Sequence, residues 1–173
     1  DWFLHSGAAD HRTFHDAIGR WDMHAPASLT ILDFGAGCGR ILQHFIPDGL
    51  ALAASDVDPT AVEYLSKAFP AVPIIVNSSR PPLPFQEERF DCVYAFSVWT
   101  HLPVALQDEW LAEACRILKP GGLLLISTMG YRALKLLREG KTESREMPLD
   151  ETLSVMKTMD RIRDQWGLKY PFE

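Results

Sequence analysis

The stretch Ile31–Leu42, which reads Ile-Leu-Asp-Phe-Gly-Ala-Gly-Cys-Gly-Arg-Ile-Leu, organises this chain of 173 residues. The run Leu29–Leu32 predicts a short buried strand, and three glycines at alternate positions follow it. Apolar residues then recur at helical spacing between Ile41 and Ile46, so the glycine turn opens a helix. Glycine lets the main chain approach a ligand closely, and a helix start presents unpaired N–H groups that suit a carboxylate or phosphate. The stretch therefore predicts a backbone cradle for a ligand.

The glycine spacing and a preceding acid indicate which ligand this cradle takes. A dinucleotide-binding turn follows Gly-x-Gly-x-x-Gly, whereas here Arg40 occupies the place of the third glycine. Asp33 stands two residues before Gly35, where a carboxylate can meet an ammonium group. An amino acid carries both a carboxylate and an amine, and so does the methionine end of S-adenosylmethionine (SAM). The stretch resembles motif I of class I SAM-dependent methyltransferases; a turn that only reverses the chain is the alternative.

Composition excludes several classes of function. The length and a 47% hydrophobic content fit one globular domain, and a net charge of −6 argues against a nonspecific nucleic-acid binder. Cys38, Cys92 and Cys115 fit neither a zinc spacing nor a disulfide framework, so we expect three buried free thiols in a reducing compartment. No apolar run reaches the length of a membrane span, and no secretory leader is recognised. We expect a cytoplasmic protein that binds neither nucleic acid nor membrane.

A helix is expected before the glycine stretch. Apolar residues at helical spacing over Phe14–Trp21 predict a helix from Ala8 to Met23, within an N-terminal cap of residues 1–27. His11 and His15 lie four residues apart, a spacing that can bind a metal on one helix face. No acid or cysteine joins them, so we interpret both as solvated and expect no metal site. The resemblance implies that this helix covers the cofactor or shapes the substrate entrance.

A second strand brings another carboxylate to the same sheet edge. Leu50–Asp56 is a short apolar run that ends in an acid, and Asp58 with Pro59 begins the next helix as its N-cap and first residue. Because Asp58 supplies the cap, Asp56 is left to accept hydrogen bonds from both hydroxyls of a ribose, as in NAD sites. Val57 is placed to pack on an adenine face. The alternative for Asp56 is a helix-capping role.

The third predicted strand, Val72–Val76, is followed by Asn77 and Ser78. Short polar groups at the carboxyl end of a strand point into the ligand crevice of an open α/β sheet. Asn77 is therefore placed to read the amino edge of adenine.

The fourth predicted strand covers residues 90–96, and the run from Leu83 through this strand to Leu102 resembles the motif II region of small-molecule methyltransferases. The resemblance implies that Phe96 and Ser97 lie along the cofactor. It also implies that Trp99 and His101 face a methyl acceptor. Packing of Trp99 against the next helix, and capping of that helix by His101, are the alternatives.

The remaining chain predicts one further motif and then departs from the resemblance. A helix over residues 103–118, a Lys-Pro-Gly-Gly turn and a fifth strand, Leu123–Ser127, resemble motif III, in which glycines form a left-handed helix cap. Helices are expected at Met129–Leu137 and Leu149–Trp166, in a helical C-terminal segment of residues 129–173. No run supplies the two further strands that complete the sheet in the family.

Strands and helices alternate over residues 28–128, which predicts an α/β fold: a Rossmann-like, doubly wound, mainly parallel sheet in a single domain, with an incomplete edge. The resemblance implies SAM as cofactor and methyl transfer to a small-molecule acceptor, sugar-like or another metabolite. The alternatives are a non-catalytic module of a larger protein and an NAD(P)-dependent oxidoreductase, and the oligomeric state is left open. His101 is the predicted catalytic residue, and the predicted cofactor-binding residues are Asp33, Phe34, Gly35, Ala36, Gly37, Asp56, Val57, Asn77, Ser78, Phe96 and Ser97.

Overall fold

A computed structural model describes residues 2–21 and 29–127, in which helices and strands alternate. The helices are α1 (Trp2–Trp21), α2 (Leu42–Phe45), α3 (Pro59–Ala68) and α4 (Val104–Ile117), and two short 3-10 helices cover Ile46–Asp48 and Trp99–His101. The strands are β1 (Thr30–Phe34), β2 (Ala51–Asp56), β3 (Ile74–Val76), β4 (Phe90–Ala95) and β5 (Leu118–Ile126). The two helices expected after residue 128 lie outside the described residues. None of the described helices is long and apolar enough to cross a membrane.

The strands form one sheet in the order β3-β2-β1-β4-β5, and all four neighbouring pairs run parallel. The chain moves outward from β1 to β3 and then returns to place β4 on the other side of β1. Ligands bind outside the carboxyl ends of the strands at such a reversal. The predicted Rossmann-like fold is therefore confirmed, and within the described residues β5 is an open edge.

Each face of the sheet carries its own apolar core. Ile31 packs with Phe14, Phe45 and Tyr94 on one face. The next residue, Leu32, packs on the other face in a cluster that includes Phe34, Trp99 and Trp110. Successive residues of a strand point to opposite faces, so a strand that is apolar throughout requires cover on both sides. Helix α1 supplies part of the first cover and α4 supplies part of the second.

Several predicted boundaries shift once the chain folds. Helix α1 begins six residues earlier than expected, and β3 is shorter than expected because Pro73 precedes it. The helix after the glycine stretch is also short, because a 3-10 turn that contains Pro47 replaces α2 from Ile46 onward. Gly49, with φ +69°, is the C-cap of this turn. Asp58 is the N-cap of α3 as predicted, because its Oδ1 accepts the Thr60 N–H at 2.8 Å.

The predicted Lys-Pro-Gly-Gly turn is instead part of β5. Helix α4 ends at Ile117, and its C-cap, Leu118, is extended and already pairs with Phe90 of β4. The next pair joins Cys92 to Leu123, so the intervening residues bulge out of the ladder. Gly121 has φ +77°, which the bulge requires and which was expected of a helix cap. Lys119 holds the bulge against β4, since its Nζ lies 2.9 Å from both carboxylate oxygens of Asp91.

The expectation of three buried cysteines is wrong for two of them. All three are free thiols, as predicted, but only Cys92 is buried, on the central strand β4. Cys38 lies in the glycine loop and Cys115 on the outer face of α4, and both are exposed. Apolar neighbours in sequence do not show which way a loop or helix residue points.

Candidate active site

The glycine loop after β1 takes a left-handed conformation at all three of its glycines, with φ of +77° at Gly35, +53° at Gly37 and +76° at Gly39. Two of them also make room for packing. A Cβ at Gly35 would lie 2.3 Å from the Val98 side chain, and one at Gly39 would lie 2.6 Å from the Leu65 side chain. At Gly37 a Cβ would meet nothing within 4 Å, so this glycine borders open space.

The N–H groups of the loop are not the free donors that the sequence suggested. Gly35 and Ala36 both donate to the Ser55 carbonyl, at 2.8 and 3.0 Å, and Gly39 donates to the Ala36 carbonyl. Gly37 donates to Asp56 Oδ2 at 2.7 Å. Because α2 has only four residues, the predicted helix start is too short to present a set of unpaired amides. The loop is instead fixed in shape by β2.

A cleft of about 450 Å³ opens at the carboxyl ends of the strands, where the strand order reverses. This volume is typical of sites for small ligands. Nine of the predicted site residues line it, namely Phe34, Gly35, Asp56, Val57, Asn77, Ser78, Phe96, Ser97 and His101. Asp33, Ala36 and Gly37 are not part of the lining. The sequence therefore identified most of the residues that line one cleft. The three other residues that it assigned to the site lie beneath or beside the cleft.

Six further residues line the cleft and were not predicted: Ser79, Val98, Leu102, Pro103, Leu106 and Trp110. Leu106 and Trp110 lie one helical turn apart on α4, within the helix that the sequence predicted over residues 103–118. Trp110 is almost fully buried, so it serves both the core and the cleft wall. The sequence signal that could have assigned these two residues to the cleft is that α4 begins directly after the segment that follows β4.

Asp56 is the only carboxylate among the lining residues. Besides holding the Gly37 N–H, it accepts the Asp58 N–H on Oδ1 at 2.9 Å. Each oxygen of an ionised carboxylate can accept a second hydrogen bond. Asp56 therefore joins the glycine loop to the end of β2 and retains capacity for a ligand.

Asn77 presents an acceptor that has no protein partner. Its backbone N–H bonds the Asp56 carbonyl at 2.9 Å, and its Nδ2 donates to the Ser78 carbonyl at 2.8 Å. Its Oδ1 is buried and has no hydrogen-bond partner among the described residues. A buried carbonyl oxygen left without a donor costs free energy, so the site favours a ligand that brings an N–H group.

Asp33 lies at the carboxyl end of β1 and is buried, with 3% of its surface exposed. Burial raises the pKa of Asp33 to about 7, because water no longer stabilises the charged form. The Tyr94 hydroxyl lowers this pKa, the Asp56 charge raises it and Arg40 lowers it. That hydroxyl is buried and makes no regular hydrogen bond within the described residues, and its own pKa is raised well above the ordinary value, chiefly by burial.

The segment after β4 separates residues of the cleft from residues of the core. Ser97 has φ +59°, and its N–H donates to the Ser127 hydroxyl at 2.6 Å. Trp99 does not line the cleft and packs edge-on against Phe34 of β1, at a ring distance of 6.1 Å. His101 ends the 3-10 turn and lines the cleft, and it does not cap α4, whose N-cap is Pro103.

A second cavity of about 480 Å³ lies by the β5 bulge and is lined by Glu87, Glu88, Arg116 and Lys119 among others. Both of its cations are paired within the protein, Arg116 with Glu113 at 2.7 Å and Lys119 with Asp91. The cavity lies at the amino ends of β4 and β5, away from the strand reversal. We therefore assign no site to it. The described residues also contain no group of three or more side chains that would hold a metal ion.

Comparison with known proteins identifies relatives along the same stretch. A family described as "Methyltransferase domain" matches residues 32–126. An uncharacterised methyltransferase of Mycobacterium tuberculosis (strain ATCC 25177 / H37Ra) is 31% identical over 103 residues, which are 59% of this chain and 40% of the relative. One from Mycobacterium bovis is 28% identical over 147 residues, which are 84% of this chain and 54% of the relative. The chain spans about half the length of these curated relatives.

Solved structures share the fold at low sequence identity. The glycopeptide N-methyltransferase MtfA aligns with a TM-score of 0.61 at 22% identity, over 73% of this chain and 56% of MtfA. That likeness shows the fold alone. The family match spans β1 to β5 and more than half of the chain, so this chain belongs to the family of methyltransferase domains.

Proposed function

We propose that this chain uses SAM to methylate a small-molecule acceptor, and that the adenosine half of SAM occupies the cleft at the strand reversal. One observation carries the proposal: the Asp56 carboxylate and the unpartnered Asn77 oxygen lie in one cleft and are joined by a backbone hydrogen bond. The two hydroxyls of a ribose are donors that suit Asp56. The exocyclic amine of adenine is a donor that suits Asn77 Oδ1.

The amino-acid half of SAM would follow the glycine loop. Open space at Gly37 leaves room for a ligand close to the main chain. Asp33 lies deeper, at the end of β1, and its carboxylate is the group that would pair with the ammonium of the ligand. An ammonium that reaches Asp33 lowers the pKa of that carboxyl, since an opposite charge favours the ionised form.

When bound, SAM would supply an electrophilic methyl group, and the sulfur would leave with the C–S electron pair as the thioether of S-adenosylhomocysteine. The contribution of the protein is to hold the two reactants in line and to exclude water. Phe96, Leu102 and Leu106 give the cleft apolar walls, which favour desolvation of the acceptor. His101 is the one imidazole of the cleft lining and is our candidate for taking a proton from the acceptor where one must be lost.

The net charge of −6 supports a small molecule as acceptor, because it does not favour a nucleic acid. Solved structures of the same fold are titled as a glycopeptide N-methyltransferase and a putative sarcosine dimethylglycine methyltransferase. MtfA has also been solved in complex with SAM, which supports SAM as the cofactor here.

Calorimetric titration of the chain with SAM, S-adenosylhomocysteine and NAD tests the cofactor. We expect micromolar or tighter binding of the first two and none of NAD. Binding of NAD alone would support the oxidoreductase alternative. Binding of none of the three would leave a non-catalytic module as the better interpretation.

Asp56→Ala tests the ribose contact in the same titration. We expect SAM binding to weaken by on the order of 2 kcal/mol, because charge-assisted hydrogen bonds are lost. Asp58→Ala is the matched control, since Asp58 caps α3 through the Thr60 N–H and does not line the cleft. The control should lose about 1 kcal/mol of stability and keep its affinity. An Asp56→Ala variant that binds SAM as the parent does would contradict the ribose assignment.

A further inference from the structure

Arg40, which stands where a dinucleotide-binding loop has its third glycine, joins three parts of the molecule. Its Nη1 lies 2.6 Å from Asp10 Oδ2 and 3.1 Å from Ser6 Oγ, both on helix α1. Its Cζ lies 4.7 Å from the centre of the Phe96 ring, over the face of that ring. The Arg40 side chain is only 18% exposed, so these contacts are shielded from water.

Helix α1 approaches the loop at Gly7 as closely as a backbone can. A Cβ at Gly7 would lie 2.1 Å from the Arg40 carbonyl oxygen, so any side chain there would push α1 away. The Phe14 ring of the same helix lies edge-on to Phe96 at 6.2 Å. Arg40 and its neighbours therefore connect α1 directly to the Phe96 ring.

We propose that Arg40 is a positioning residue for the cofactor, which couples the docking of α1 to the cleft wall through the Phe96 ring. The inference rests on the proposed function, because it takes the cleft as the SAM site. Asp10 does not line the cleft. Its carboxylate nevertheless holds the Arg40 guanidinium over the ring of Phe96, which does line the cleft. Arg40 also acts on buried Asp33, whose pKa it lowers, so it favours the carboxylate form that an ammonium needs.

The test is a set of titrations with S-adenosylhomocysteine. We expect Asp10→Asn to weaken binding about fivefold, the factor that corresponds to one cation–π contact of about 1 kcal/mol. In an Arg40→Gln background, the same Asp10 change should have no effect. Asp16→Asn, an exposed carboxylate on the same helix, is the matched control and should bind as the parent.

Two readouts separate positioning from a merely structural role. Arg40→Lys keeps a charge for Asp10 but lacks the planar group that stacks on Phe96, so it should restore the melting temperature and only part of the affinity. Arg40→Gln should also move the pH midpoint of binding upward, since Asp33 loses a neighbouring cation. Unchanged affinity in Asp10→Asn, or full restoration by Arg40→Lys, would overturn the proposal. Failure of the parent chain to bind S-adenosylhomocysteine would instead overturn the proposed function.

Discussion

Replacing Asp33 by Asn should make the protein more stable at neutral and alkaline pH. In the folded state the pKa of this carboxyl is raised from 3.8 to about 7, chiefly by burial. Between these values the folded chain binds a proton that the unfolded chain has released, so stability falls as pH rises. At about 1.4 kcal/mol for each pKa unit, the loss reaches about 4 kcal/mol above pH 7. An asparagine does not titrate and escapes this loss.

The assay is urea unfolding of parent and variant at intervals from pH 3 to pH 8. The free energy of unfolding of the variant minus that of the parent should be constant below about pH 4, where both side chains are neutral. It should then grow by about 4 kcal/mol and level off above pH 7. Any constant offset reflects the packing of the amide and does not enter the comparison.

Asp108→Asn provides the control for loss of a carboxylate, because Asp108 is exposed on α4. The reasoning about Asp33 is refuted if its difference curve is flat over the whole pH range, since the Asp33 carboxyl would then titrate as it does in water. The proposed pairing of the Asp33 carboxylate with an ammonium gives a second prediction for the same variant. The more stable Asp33→Asn protein should bind SAM less tightly than the parent in calorimetry.

Three further changes follow from the packing of the chain. Gly37→Val should abolish SAM binding and leave the domain folded, because the side chain enters open space beside the loop; titration and circular dichroism check this. Gly39→Ala should destabilise the fold by roughly 1–3 kcal/mol, because its Cβ would lie 2.6 Å from Leu65 Cδ2. Glu113→Ala should cost about 3–5 kcal/mol in urea unfolding, because the buried carboxylate holds both Arg116 and the Leu83 N–H.

Each of these variants has a matched control. Gly49→Val meets the same left-handed backbone and open space as the first variant, but lies away from the cleft, so it should still bind SAM. Gly121→Ala is the control for Gly39→Ala, because both glycines have a positive φ but a Cβ at Gly121 would meet no atom within 4 Å. Glu109→Ala removes an exposed ion pair with Arg80 and should cost under about 1 kcal/mol. Equal behaviour of variant and control would contradict the packing argument in each pair.

The sequence predicted the elements that local pattern determines. The run from Leu29 to the third glycine is a buried strand followed by a left-handed loop, and Asp58 with Pro59 begins a helix. The parallel pairing of the strands also followed, because strands that alternate with helices form a mainly parallel sheet. The acid at the end of β2 lies in the cleft for the same reason, since parallel strands end at a common edge.

What the sequence missed depends on contacts between distant segments. The Lys-Pro-Gly-Gly bulge is held by Asp91 on the neighbouring strand, which no local pattern reveals. Asp33 is buried and is not part of the cleft wall, and the Ser55 carbonyl on β2 holds the amides of Gly35 and Ala36, the loop residues that follow β1. Trp110 is buried in the core and also lines the cleft. In these cases the structural role of a residue was decided by how deeply it is buried and by the direction of its side chain, not by its residue type.

The glycine loop has a thermodynamic consequence, because Ser55 and Asp56 already occupy the amides of Gly35, Ala36 and Gly37. The loop is therefore already in its binding conformation before a nucleoside ligand arrives, and binding does not cost the conformational entropy of ordering the loop. The heat-capacity change of association should then scale only with the apolar area that the ligand covers. Crystals grown without ligand should present the same loop backbone as crystals soaked with it.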